Sequence, residues 1–195
     1  MDTHLVDTAD RGHKDIPPNA PDPRGKSVDL RMWVDSDHAG YKTTRRSRTG
    51  YFIFLNTALI DWLSKKQATI EGSVFGAEFV AMKTGVEALR GISYKLRMMG
   101  VPLTGPTYIY GDNMSVIYNT SRPESTLKMK SNYICYHAVR EAVASGECLT
   151  MHCKTGYNYS DMMTKVLYRQ KKQDNVACIL YDIWDHEDGP ETAKG

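Results

Sequence analysis

Long apolar runs are missing from this 195-residue chain. Its most hydrophobic stretches are far too short to cross a bilayer as helices, so a soluble chain is expected. No signal peptide is present at the start, and the four cysteines, Cys135, Cys148, Cys153 and Cys178, fit no zinc spacing. They read as reduced thiols of a protein that is not secreted. A strong charge bias is missing too: 25 basic against 23 acidic residues leave +2, so any surface for a polyanion has to come from local clustering. This length suits one domain of ordinary size with tails and leaves no room for a second full domain.

Aliphatic residues are scarce at the start, where Pro17, Pro18, Pro21 and Pro23 sit among Asp, Asn and Lys. Such a segment buries too little apolar surface to offset the entropy lost on ordering, so residues 1–25 are expected to be a disordered leader or a linker. The folded domain is placed at 26–185, followed by a frayed acidic tail at 186–195.

What is present begins with an apolar, extended pattern over 28–35 that ends on Asp35, with Asp37 close behind and a break at Ala39-Gly40. A buried strand ending on carboxylates calls for a cation or a set of donors to meet them. A basic stretch from Lys42 to Arg48 follows, and then two more β-branched and aromatic runs, Tyr51-Phe52-Ile53-Phe54-Leu55 and Leu59-Ile60-Asp61-Trp62-Leu63, joined by Asn56-Thr57. Three strands with short connections form an antiparallel meander. The basic stretch is either a solvated hairpin tip or a set of phosphate contacts beside Asp35.

The period then changes. Phe75, Phe79, Met82, Val86 and Leu89 recur at steps of four and three, which predicts a long amphipathic helix over 73–99. Glu78 lies on its inward side, on a row with Ala81, Gly85 and Ala88, whose small side chains would let the helix lie close to a sheet. It is either a boundary glutamate reaching water or one of a converging set of acids. Thr107-Tyr108-Ile109-Tyr110-Gly111-Asp112 is a second strand that ends on an acid, and a strand after a long helix reads as a parallel crossover. Ligands collect at the carboxyl ends of such strands, which puts Asp112 at the same edge as Asp35, with a helix N-cap as its alternative role. Lys128 and Lys130 lie in a polar loop before a helix over 132–144 that Gly146 stops. His137 on that helix reads as structural. A short strand over 149–153 follows, then a helix opened by Asp161 and running through Leu167, and a further helix over 176–184.

Six blocks now fall into one order: Val34-Asp35-Ser36-Asp37-His38-Ala39-Gly40 with Arg45-Arg46-Ser47 and Thr49-Gly50-Tyr51; Trp62-Leu63-Ser64-Lys65-Lys66-Gln67; Ala77-Glu78-Phe79-Val80-Ala81; Tyr110-Gly111-Asp112-Asn113-Met114-Ser115; Tyr136-His137-Ala138-Val139-Arg140-Glu141; and Ser160-Asp161-Met162-Met163-Thr164-Lys165. Together they resemble the ribonuclease H domain of copia-type retrotransposon polyproteins, from about Arg31 to Leu167. Gly76 and Tyr41 stand where that family carries further acids, outside its catalytic set.

The resemblance implies an α/β, ribonuclease H-like fold: a five-stranded mixed sheet, three antiparallel strands followed by two parallel to the first, flanked by helices. It also implies an acid quartet, which falls position by position on Asp35, Glu78, Asp112 and Asp161. Asp37 shares a strand face with Asp35 and competes for the first place, and Asp35 is preferred because it lies nearest the apolar strand. The implied activity is endonucleolytic hydrolysis of the RNA strand of RNA·DNA hybrids during reverse transcription. Two Mg²⁺ ions about 3.5–4 Å apart, with Mn²⁺ as a substitute, would be held by the four carboxylates. Asp35 would bridge, with Glu78 and Asp112 on one side and Asp161 on the other. Arg45, Arg46, Lys65, Lys66, Lys128 and Lys130 are candidates for backbone phosphates. His152 is the nearest match to a mobile histidine that many cellular ribonucleases H carry ahead of the last acid. The implied partners are an RNA·DNA hybrid and an upstream reverse transcriptase domain of the same polyprotein, in a cytoplasmic virus-like particle or in the nucleus. A catalytically inactive remnant that only binds nucleic acid is the alternative. An integrase core is disfavoured, because that group orders its acids Asp, Asp, Glu.

Overall fold

Side chains alternate along an extended chain, so Met32 and Val34 face one way while Trp33 and Asp35 face the other. All four are buried, which requires layers on both sides of the strand that carries them. A computed structural model, which describes residues 17–122, 124–125 and 133–180, puts this strand at the centre of the sheet. The sheet has the order β3-β2-β1-β4-β5. Its strands are β1 (Leu30–Tyr41), β2 (Arg46–Leu55), β3 (Ala58–Lys66), β4 (Thr107–Gly111) and β5 (Cys148–His152). β2 pairs antiparallel with both β1 and β3, whereas β4 runs parallel to β1 and to β5. This is the mixed five-stranded sheet that the sequence implies.

β1 does not stop at Asp35 as expected. It continues past a register irregularity between Asp37 and Tyr41, where Ala39 takes a left-handed φ of 54°. A bulge lets the strand absorb the Ala39-Gly40 break and keep pairing. Asn56, with φ 53°, turns β2 into β3 and accepts a hydrogen bond from the Asp29 amide, as expected of the Asn56-Thr57 turn.

Helix α1 (Val74–Met98) starts at Ser73, whose hydroxyl accepts the Gly76 amide. Its buried stripe of Phe79, Met82, Val86 and Leu89 covers the Met32 face of the sheet. The row of small residues does what the sequence suggests: a β-carbon at Gly85 would fall 1.8 Å from Met32 Cε, so the end of the Met32 side chain lies directly over the helix backbone there. Helices α2 (Met114–Ser121) and α3 (Tyr133–Ala144) complete this layer, and Phe79 packs between Phe75 and Tyr136. α3 ends before Gly146, which turns the chain with φ 76°.

On the opposite face, Trp33 stacks on Tyr110 at 4.9 Å and meets Phe54 edge-on at 5.2 Å. With Phe52 and Tyr159 they form a second core, covered by α4 (Asp161–Thr164) and α5 (Arg169–Leu180). These helices depart from the expected ones. α4 ends at Thr164 because Lys165 turns extended, and α5 begins well before Val176. The strand expected at 149–153 sits one residue earlier. Within the segment read as a leader, Arg24 donates its amide to the Gly100 carbonyl. Residues 1–16 of that leader, residues 181–184 of the expected last helix and the 186–195 tail lie outside the described residues.

α4 comes close to the sheet at Gly50, the register partner of Asp35. A β-carbon there would lie 2.6 Å from Met163 Cβ and 2.7 Å from Thr164 Cγ2, and neither atom sits at the free end of a long side chain. Gly50→Ala is therefore expected to push α4 off the sheet, to cost about 1–3 kcal/mol in urea denaturation, and to shift the amide resonances of residues 160–165. An unchanged midpoint with unshifted resonances would contradict this packing.

Candidate metal centre and nucleic-acid interface

β1 and β4 pair only from Arg31 to Trp33 on the β1 side, whereas β1 and β2 stay paired to Asp37. Beyond Trp33 the parallel strands separate, leaving a crevice at their carboxyl ends, the place where ligands bind in sheets of this kind. The opened edge leaves the Val34 carbonyl without a strand partner on that side. Asn158, fully buried, fills the gap by donating Nδ2 to it at 3.0 Å. Its own Oδ1 accepts from the Ser160 amide and hydroxyl. One asparagine thus ties the loop ahead of Asp161 to the backbone beside Asp35.

Asp35 from β1, Glu78 from the second turn of α1 and Asp112, just past β4, meet at this crevice. One carboxylate oxygen of each lies within 4.8 Å of the others. Asp35 is 1 % exposed and Glu78 7 %, and Asp112 is half-buried. Asp112 does not cap α2; Asn113 does, accepting the Ser115 and Val116 amides. Asp112 is left to face the crevice with Asp35, Asp37, His38, Glu78 and Lys165. Asp161, 1 % exposed, stands apart from the three-acid group and reaches it through lysine. Lys165 Nζ lies 2.7 Å from Asp161 Oδ1 and 3.2 Å from the Asp35 carboxylate, and Lys171 Nζ lies 2.6 Å from Asp161 Oδ2. Thr164 donates its hydroxyl to Asp35 Oδ2. Asp37 lies two residues beyond Asp35, folded over Gly40, and lines the mouth of the crevice without joining the three acids.

The electrostatics follow from burial and like charge. Burial, with Asp35 and Asp112 close by, pushes the Glu78 carboxyl up to about 8, against partial relief from Ser36 and Lys165. Burial raises Asp35 to about 6, opposed by Lys165 and by the Thr164 hydroxyl, while Asp161 and Asp112 add to the rise. For Lys165, burial favours the neutral amine, but the hydrogen bond to Asp161 and the charge of Asp35 outweigh it and hold the ammonium charged. Three converging hard oxygen donors, short of compensating charge, fit a divalent cation such as Mg²⁺. Among the described residues, no lysine or arginine forms an ion pair with Glu78 or Asp112.

Of the basic residues, Arg45 tips the β1–β2 hairpin with φ 53° and Arg46 opens β2, its Nε buried without a partner. Lys65 and Lys66 are exposed at the end of β3, and Lys66 sits 4.3 Å over the Tyr41 ring. Arg48, not singled out from the sequence, lies in the same sheet row as Asp37 and Lys66. Lys128 and Lys130 lie outside the described residues. His137 is exposed and lies against the rings of Tyr133 and Tyr136. His152 ends β5 opposite Gly111, within the strand. The four cysteines are free, and burial raises Cys148 and Cys153 to about 12, so both stay thiols. No helix among the described residues is long and apolar enough to cross a membrane. Residue types alone did not single out Lys171, Asn158 or Gly50, and the Asp161–Lys165 spacing of four was the one local signal for Lys165.

No family model matches the chain. Over 156 residues, 80% of its length, it is 32% identical to the Retrovirus-related Pol polyprotein from transposon RE1 of Arabidopsis thaliana. It spans 11% of that relative. Among solved structures, RNase H1 from the halophilic archaeon Halobacterium salinarum NRC-1 superposes with a TM-score of 0.52 at 11% identity, over 69% of this chain and 93% of that one. LC11-RNase H1 in complex with RNA/DNA hybrid, the enzyme isolated from compost by a metagenomic approach, gives 0.51 at 13% identity over the same shares, 69% and 93%. The fold is that of ribonuclease H. The chain's homologues are retrovirus-related Pol polyproteins of copia-type transposons, of which it covers about a tenth.

The raised carboxyls set a pH dependence. An unfolded Glu78 releases its proton near 4.5, whereas the folded one keeps it to about 8. Between those values the folded state binds more protons, so its stability is greatest at the acid end and falls as pH rises through the window. Without divalent ions, the chain is expected to be less stable at pH 8 than at pH 5 by on the order of 3 kcal/mol in urea denaturation. Glu78→Gln should remove most of that slope, and an unaltered slope would place its origin elsewhere.

Proposed function

We propose that the chain is a divalent-metal-dependent endonuclease that hydrolyses the RNA strand of RNA·DNA hybrids, as the ribonuclease H part of a retrotransposon polyprotein. The observation that carries this is the convergence of Asp35, Glu78 and Asp112 within 4.8 Å at the separated ends of two parallel strands. The polyprotein relatives and the ribonuclease H fold support it, as does the capture of one protein of that fold with an RNA/DNA hybrid.

Asp35, Glu78, Asp112 and Asp161 would hold the ions, with Asp35 shared between them. When bound, two Mg²⁺ ions, or Mn²⁺ in their place, supply the charge that activates a water and neutralises the leaving alkoxide. The protein supplies the rest. Buried strand and helix ends hold the carboxylates rigid, and the Asn158 and Thr164 hydrogen bonds fix the angle at which Asp161 and Asp35 face one another. Arg45, Arg46, Lys65 and Lys66 place the hybrid through its phosphates, which position without reading sequence, and Lys128 and Lys130 belong to the same proposal. The rest of the polyprotein, an upstream reverse transcriptase domain above all, is the natural partner. The compartment is the cytoplasmic virus-like particle or the nucleus.

A second reading, a silent remnant that only grips nucleic acid, draws on the Lys165 ammonium already lying between Asp35 and Asp161. Binding would then ignore Mg²⁺ and weaken steeply with salt.

Labelled hybrid, duplex RNA and duplex DNA incubated with and without Mg²⁺ separate the two. Cleavage of the hybrid alone, and only with Mg²⁺, is expected. Asp112→Asn should cut that rate by more than about 100-fold, beyond the loss that changes around the ligands cause, with an unaltered circular dichroism spectrum. Undiminished cleavage by Asp112→Asn would sink the proposal.

A further inference from the structure

Asp35 and Asp161 are two carboxylates, each 1 % exposed, facing one another across the junction of β1 and α4. Two buried like charges need a cation between them, and the chain provides its own. Lys165 leaves α4 at the residue where the helix ends, with its backbone extended at φ −124° and ψ 154°. That turn delivers its ammonium to both acids, 2.7 Å from one and 3.2 Å from the other. The place it fills is the one that a cation shared by Asp35 and Asp161 would take.

Lys165 keeps access to solvent there. Its side chain is 37 % exposed, in contrast to both its partners, and a four-carbon stem with a compact charge can swing into water. Lys171, 34 % exposed, holds the other oxygen of Asp161 and reaches the Thr155 carbonyl, so Asp161 has a second cation beside it when Lys165 departs. The Glu78 and Asp112 side of the centre has no such occupant among the described residues.

We propose that Lys165 is a built-in cation that competes with the second divalent ion, so that the two metal positions are unequal. The first ion takes Asp35, Glu78 and Asp112 with Lys165 in place. The second enters only as Lys165 swings out, when one displaced ammonium is replaced by a divalent charge between Asp35 and Asp161. This rests on reading the carboxylates as metal ligands.

The test counts ions rather than turnover. Isothermal titration of the whole chain with Mg²⁺, without nucleic acid, is expected to show one site and a second at least about tenfold weaker. Lys165→Met, which keeps most of the stem and removes the charge, should tighten the second site about tenfold or more, and Lys165→Arg should leave the gap as it was. Thermal melting reads the same exchange if Lys165→Met is too unstable to titrate: its melting temperature should drop without Mg²⁺ and recover with it by a larger step than the wild type gains. Matching isotherms and matching Mg²⁺ steps in wild type and Lys165→Met would overturn the role of Lys165 while leaving the metal centre intact. Absence of Mg²⁺ binding in every variant would overturn the metal centre, and this inference with it.

Discussion

The site depends on two parallel strands parting. β1 holds β2 along its whole outer run but releases β4 just past Trp33 and Tyr110, so the last turns of β1 have hydrogen-bond partners on one edge only. A strand edge exposed in a buried crevice has to be met by polar groups. Asn158 meets it at Val34, and through Ser160 it fixes where α4 begins. Asp161 is therefore positioned by a backbone vacancy nearly 130 residues upstream together with the docking of its own short helix on Gly50. Had β4 stayed paired to Asp35, neither the crevice nor the fourth acid would be where they are.

The parting also sets the electrostatic problem. Four carboxylates, three of them with almost no access to water, cannot all be charged in a metal-free site at little cost. The protein spreads the strain unevenly. Asp161 is neutralised by two lysines, Asp35 by half of one and a hydroxyl, and Glu78 by no ion pair among the described residues. Glu78 accordingly shows the largest rise among these carboxyls, to about 8, and stability is lost where the acids converge.

Much of this was legible from residue order because each acid ends a recognisable pattern. Asp35 and Asp112 close apolar strand runs, which pointed to a shared edge, whereas Glu78, one step along from a stripe of period 3.6, could equally have been a boundary residue reaching water. Short connections marked the antiparallel meander and the long helix a parallel crossover, while the full sheet arrangement came from the family resemblance. The contacts that aim the acids were not legible. Gly50 reads as an ordinary strand glycine until α4 is laid against it, and Asn158 reads as a loop residue until the Val34 carbonyl is found open. Both depend on pairs far apart in sequence. The extension of β1 beyond Asp35 was hidden for a different reason: Ala39 takes a left-handed conformation that its residue type disfavours, so Ala39-Gly40 read as an end rather than as a bulge.

That bulge bears on the choice between Asp35 and Asp37. If β1 had ended at Asp35, the two acids would stand equally at a frayed terminus. Because it continues, Asp35 is held within a paired strand, opposite Gly50, with Thr164 and Lys165 on its oxygens. Asp37 is paired too, opposite Arg48, but its carboxylate bends over Gly40 toward the bulge, where no side chain stands in the way. Pairing therefore does not separate the two residues; what lies above them does. Thr164 and Lys165 cover Asp35, which is almost fully buried, whereas Asp37 is half-buried at the mouth of the crevice. The covered position combines a fixed carboxylate with the low dielectric that makes its attraction for a cation strong, which supports the proposal of Asp35 over Asp37 as the shared ligand.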